Sequence, residues 1–133
     1  MKSKAISLYI VLFFLCSFSS RASFVLLPME AEGQQNHLKA YGITYWALDK
    51  SYKVSWLLNY RGGSFLLPDA PEIRKECQIR GVTFEVLSDA ATNTILEDIS
   101  SPSQNMETVV LEKAPKIAVY TPKGKQPWDE AVT

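Results

Sequence analysis

A charge-free apolar run from Ala5 to Cys16, preceded by Lys2 and Lys4, constrains everything downstream of it. Ser20 and Ala22 place small residues at −3 and −1 of the bond to Ser23, which completes the layout of a secretory signal cleaved after Ala22. A retained anchor is not expected. The run from Ala5 to Phe18 falls short of the roughly 20 residues that a spanning helix needs, and the polar Ser19-Ser20-Arg21 follows at once. Lipidation at Cys16 is the weaker alternative, because the bulky Leu15 stands where a lipoprotein signal carries a small residue. The expected destination is the periplasm or cell envelope, with no transmembrane span after cleavage.

Loss of residues 1–22 leaves 111 of the 133 residues and removes Cys16, so Cys77 is alone and no internal disulfide can form. An apolar core must hold the mature chain, and 111 residues are enough for one modest core. Cleavage takes Lys2, Lys4 and Arg21 from the 14 basic side chains and nothing from the 14 acidic ones, leaving three excess negative charges. That balance excludes a basic nucleic-acid footprint. Cys77 follows Ile73 by four residues and shares its helical face, so the expected role is a buried structural cysteine. The alternative, a nucleophile, requires a thiolate stabilised by a helix N-terminus or a cationic partner. Cys77 lies late in its helix, and the only histidine, His37, falls in another.

Strand and helix signals alternate along the mature chain. The short apolar run Phe24-Val25-Leu26-Leu27-Pro28 suits a strand buried on both faces. Between Gln34 and Lys50, residues Leu38, Tyr41, Gly42, Tyr45 and Leu48 follow helical spacing, while Ala40, Ile43 and Ala47 leave the opposite side only weakly polar. Val54, Trp56, Leu58 and Tyr60 show the period of two of a strand that Gly62-Gly63 ends. A helix over 70–80 is well punctuated: Asp69 and Glu72 form a capping-box-like pair, Pro71 stands in the first turn and Gly81 at the stop. Val82, Phe84 and Val86 predict a strand, and Ala91, Ile95 and Ile99 a helix that Ser88 or Asp89 caps. Residues 102–115 form a linker whose Val109-Val110-Leu111 run can pair briefly with a sheet edge, and a strand opens at Lys116. Repeated β-then-α order predicts an α/β fold, a mainly parallel sheet with helices on both faces in three layers. The expected organisation is a signal at 1–22, an N-terminal module at 23–101, the linker at 102–115 and a second, truncated α/β unit at 116–133.

Three segments carry a family resemblance: Asn36 to Trp46 (NHLKAYGITYW), Trp56 to Phe65 (WLLNYRGGSF) and Lys113 to Tyr120 (KAPKIAVY). They resemble the N-terminal part of a family of exported Bacteroidetes proteins commonly labelled asparagine synthetase B, and the resemblance covers essentially the whole mature chain. It implies a longer protein that continues into an amidotransferase-like α/β region, so the implied partner of this module is a downstream domain of its own protein. The label does not fit the residues. Glutamine-dependent asparagine synthetases resemble other N-terminal-nucleophile amidotransferases in needing a cysteine directly after the initiator methionine, where this chain has Lys2. No P-loop-type glycine-rich motif is present, and 111 residues cannot hold a synthetase domain as well. Ser23 is the one loophole, since an N-terminal serine can act as nucleophile with its own amine as base.

Arg61-Gly62-Gly63-Ser64 is the candidate ligand cluster. Two glycines let backbone N–H groups approach an anion, and Arg61 offers a fork of donors. A tight turn between Tyr60 and Phe65 explains the same residues. Trp46, Trp56 and the tyrosines at 41, 45 and 60 could form a carbohydrate-stacking surface, although their periods favour core packing. His37 suits a solvated or capping-turn position. One histidine with scattered carboxylates makes no metal site, and no cofactor is indicated. Two functions follow: a non-catalytic module that packs against a downstream domain, or part of an amidotransferase-like amide hydrolase whose nucleophile lies in a C-terminal region, with Arg61 to Ser64 contributing to a shared cleft.

Overall fold

A computed structural model describes residues 23–116 and 118. The signal at 1–22 and the strand and helix expected over 117–133, Ala118 apart, lie outside the described residues.

The chain runs β1 (Ser23–Leu27), α1 (His37–Asp49), β2 (Val54–Leu58), β3 (Phe65–Pro68), α2 (Pro71–Arg80), β4 (Glu85–Ser88), α3 (Asp89–Ile99) and β5 (Glu107–Leu111). These strands form one sheet in the order β4-β1-β3-β2-β5. Every neighbouring pair is antiparallel, with Val25 opposite Leu67 on one side and Val86 on the other, and Trp56 opposite Phe65 and Val109. The expected mainly parallel three-layer α/β sheet is therefore wrong.

The reason lies in one unread strand. β1 and β2 do run in the same direction, joined by α1, and so do β3 and β4, joined by α2, as β-then-α order requires. But β3 lies between β1 and β2, and β1 between β3 and β4, so the two crossovers interlock and each strand bonds to a neighbour of opposite direction. This is the split-βαβ, ferredoxin-like order, extended by α3 and β5. Phe65–Pro68 escaped the sequence reading because a four-residue apolar run ending in proline shows no alternation. Both of its faces are covered, so nothing selects for alternation.

Two cores result, one on each face of the sheet. Val25, Leu27, Val54, Phe65 and Leu67 meet Ile43 and Ala47 of α1 and Ile73 and Cys77 of α2. Leu26, Leu57 and Leu66, from the other face of the same strands, meet Ile99 of α3, with Ile95 and Leu96 packed alongside. Full burial of each such aliphatic side chain is worth about 1.5–3 kcal/mol relative to exposure, so β1, an interior strand sealed on both faces, anchors the fold.

Local punctuation matches in part. Pro71 opens α2, and Gly81 closes it by donating its N–H to the Gln78 carbonyl. Ser88 caps α3, its hydroxyl accepting from the Ala91 N–H. The capping-box reading of Asp69 and Glu72 fails: Ala70 is the cap residue, Asp69 turns to Arg74 and Ser23, and Glu72 accepts from the Tyr52 hydroxyl. The fourth strand begins at Glu85, three residues after Val82. The stretch from Ser103 to Pro115 holds β5, which pairs along the whole of β2.

The face that α1 buries is, apart from Leu48, the side opposite the expected stripe. Ala40, Ile43, Thr44, Ala47 and Leu48 point into the molecule, whereas Leu38, Tyr41 and Tyr45 are 86%, 50% and 43% exposed. Small alanines let the helix approach the sheet closely. The bulky stripe at 38, 41 and 45 is left outside.

Candidate functional site

Arg61 to Ser64 form the turn that joins β2 to β3. Asn59 and Arg61 adopt left-handed backbone at φ 60 and 44, and Gly62 and Gly63 at φ 79 and 88, which only glycine tolerates cheaply. The turn is pressed onto the end of β1. The Met29 N–H donates to the Arg61 carbonyl over 3.1 Å, and Gly62 lies so close to Met29 that a Cβ there would sit 2.5 Å from the Met29 carbonyl oxygen. Ser64 is buried, its hydroxyl donating to the Arg61 carbonyl over 3.0 Å.

The Arg61 fork is already engaged. Nε donates to Glu30 Oε1 and Oε2 at 2.8 and 2.9 Å, while Nη1 and Nη2 donate to Glu85 Oε2 and Oε1 at 3.0 and 2.8 Å. These bonds, from Glu85 first and then Glu30, push the guanidinium pKa further above its already high value. Two carboxylates around one guanidinium leave the group with a net negative charge. An anionic ligand would have to displace Glu30 or Glu85 and would meet repulsion from the one displaced. The four residues thus tie the β2–β3 turn to the β1–α1 loop and to β4.

Nearby polar side chains are occupied in the same manner. Gln34, buried in the β1–α1 loop, donates to the Thr83 carbonyl over 3.1 Å and accepts from the Thr83 N–H over 3.2 Å, while Asn36 donates to the Gly81 carbonyl. His37, at the start of α1, places Nε2 3.1 Å from the Met29 carbonyl. Ser23 lies in β1 with its hydroxyl donating to Asp69, whose own N–H returns to the Ser23 carbonyl over 3.0 Å. Arg74 first, and Ser23 in addition, hold the Asp69 carboxyl below the usual carboxylate range. Cys77 is fully buried, and burial pushes its thiol up to about 11. At neutral pH it carries almost no thiolate, the form a nucleophile requires. Among the described residues no three His, Cys, Asp or Glu side chains gather as a metal-ligating group, and no helix is long and apolar enough to cross a membrane.

An apolar cleft of about 500 Å3 between α1 and the β2–β5 side of the sheet has room for a partner. Tyr41 and Tyr45 form one wall, Trp56 and Phe65 the floor, and the chain leaving β5 brings Leu111 and Pro115 to the opposite side with Lys113 beside them. The aromatic floor is fixed: Trp56 and Phe65 stack with centroids 6.0 Å apart, and Tyr41 meets Phe65 edge-on at 5.5 Å. The Trp56 indole N–H donates to the Gly63 carbonyl over 3.0 Å, which ties the cleft to the turn. Of the aromatics expected in a stacking surface, Tyr41, Tyr45 and Trp56 meet here, whereas Tyr60 packs on the core of the other sheet face. The sequence reading missed Phe65, Leu111 and Pro115 because they reach the cleft from different parts of the chain. The signal for the near wall is visible in the sequence as Tyr41 and Tyr45 on one helical stripe, but their period favours core packing.

Comparison with protein-family models, with curated proteins and with solved structures returned no match.

Proposed function

We propose that this chain is a non-catalytic packing module at the front of a longer exported protein, and that it positions a downstream part of that protein through the cleft between α1 and β5. The observation that carries the reading is the cleft itself. An apolar, aromatic-floored surface open to water is costly unless another surface covers it, and such patches mark interaction sites. Its position adds direction, because the chain leaves the sheet through Leu111 and Pro115, which are part of the cleft. The family resemblance, to proteins that continue into an amidotransferase-like region, supplies a downstream partner. Catalysis by this chain finds little support: Cys77 is protonated and buried, Ser23 is hydrogen-bonded within a strand, and Arg61 is neutralised by two carboxylates. The alternative of a shared amide-hydrolysing cleft built on Arg61 to Ser64 gains no support from that ion-paired geometry.

Two measurements test the reading. Mass spectrometry of protein recovered from the cell envelope should show a mature chain beginning at Ser23; a chain retaining Met1 would refute export, and a lipid on Cys16 would replace cleavage after Ala22 with a lipoprotein anchor. The purified mature chain should release no ammonia from glutamine or asparagine. Release that Ser23→Ala or Cys77→Ala abolishes would make the chain an enzyme in its own right.

A further inference from the structure

Resting on the packing-module reading, we infer that the first occupant of the cleft is the chain's own continuation, the apolar segment from Ile117 to Tyr120. The path of the chain carries the inference. After β5 the backbone does not run off the sheet edge: Leu111 and Ala114 pack against the core beneath α1, and Pro115 lines the cleft. The continuation is thereby handed over at the cleft, two residues before Ile117. Four extended residues reach about 13 Å, and Pro115 lines the same cleft as Tyr41 and Tyr45.

The chemistry of the two surfaces matches. The segment Ile117-Ala118-Val119-Tyr120 has no charge and three large apolar or aromatic side chains, and the Lys116 that precedes it and the Thr121 that follows give it polar limits. The cleft offers an aromatic floor of Trp56 and Phe65 and two half-exposed tyrosines. It also accounts for the bulky stripe of α1, which stays 43–86% exposed although Tyr41 meets the core residue Phe65 edge-on. A helix that is apolar nearly all round is expected to be covered on both sides. Leu38, on the same stripe and 86% exposed, marks where the covering surface would extend as the chain continues.

Hydrogen exchange on the full chain tests the inference. The amides of residues 117–120 should exchange at least about tenfold more slowly than unstructured amides, and Tyr45→Glu should remove that protection while the amides of β1 and α2 keep theirs. Tyr45→Phe should leave it in place. If Tyr45→Glu disturbs the fold, Val119→Asp is the second variant: it should leave β1 and α2 intact and raise binding of the apolar dye ANS, because the cleft is uncovered. Fast exchange at 117–120 in the unsubstituted chain overturns the inference, as does protection that Tyr45→Glu leaves unchanged. Protection that rises with protein concentration, with a dimer in sedimentation, also overturns it in favour of a second copy as occupant. The packing-module reading fails separately. If 117–120 exchange fast but the chain binds ANS in a manner that Tyr45→Glu abolishes, the cleft is an interface awaiting another partner; if it binds no ANS either, the reading of this face as an interface falls.

Discussion

Replacing Gly62 and Gly63 one at a time with alanine separates close approach from backbone strain at the β2–β3 turn. Both glycines have positive φ, 79 and 88, so each alanine takes a left-handed penalty of about 1–2 kcal/mol. In each case restriction of the unfolded chain returns about 0.4–1 kcal/mol, which leaves a net cost near 1 kcal/mol from conformation alone. The surroundings then differ. A Cβ on Gly63 would meet only the Trp56 indole nitrogen at 3.3 Å, an adjustment of a few tenths of an ångström. A Cβ on Gly62 would lie 2.5 Å from the Met29 carbonyl oxygen, 2.6 Å from its carbon and 2.7 Å from the Glu30 nitrogen. All three are backbone atoms of the loop that directly follows β1, so the turn must lift away, breaking the Met29 to Arg61 hydrogen bond and pulling Arg61 from Glu30. Overpacking of that kind adds about 1–3 kcal/mol, so Gly62→Ala should cost about 2–4 kcal/mol against about 1 kcal/mol for Gly63→Ala. Urea denaturation of the two variants and the unsubstituted chain measures the difference. A domain of this size shifts its melting temperature by about 4–8 °C per kcal/mol, so thermal melts should separate the variants clearly. Equal costs, within about 0.5 kcal/mol, would refute the claim that the turn is locked onto β1, and would reopen Arg61 to Ser64 as a loose, ligand-accessible loop.

Gln34→Ala should destabilise the chain by about 2–3 kcal/mol, because the Thr83 N–H and carbonyl lose a buried partner; a cost under about 0.5 kcal/mol in the same assay would mean that water replaces the side chain freely. Cys77 should resist thiol reagents in the folded protein near neutral pH, since burial pushes its thiol up to about 11, and rapid labelling under native conditions would overturn the structural role. Asp69, whose folded pKa is lowered by Arg74 and Ser23, contributes stability that is complete above the unfolded value of about 3.9 and is lost as pH falls through the folded value. Urea midpoints at pH 5 and pH 3 should therefore fall more for the unsubstituted chain than for Asp69→Asn, and equal losses would show that Asp69 is not held in this way.

Signals that act within a few residues were legible in the sequence. Pro71 and Gly81 bounded α2, Ser88 or Asp89 marked the start of α3, the unbroken Val25-Leu26-Leu27 run marked a strand sealed on both faces, and the four-residue spacing of Ile73 and Cys77 placed the thiol inside. Each is a property of local backbone geometry, so one stretch of chain suffices to show it. What the tertiary structure decided depends on partners distant in sequence. Strand order is one case: nothing within β1 or β2 says that β3 will lie between them, because either arrangement satisfies the same β-then-α pattern. Arg61 is another, since Glu30 and Glu85 reach it only when the β1–α1 loop and β4 have folded around the turn. The face of α1 is the third. With Ala40, Ile43 and Ala47 on one side and Leu38, Tyr41 and Tyr45 on the other, both sides are apolar and periodicity cannot choose between them. Close packing chose: the alanine side lets α1 approach the sheet, and the bulky side is left at the edge of the cleft.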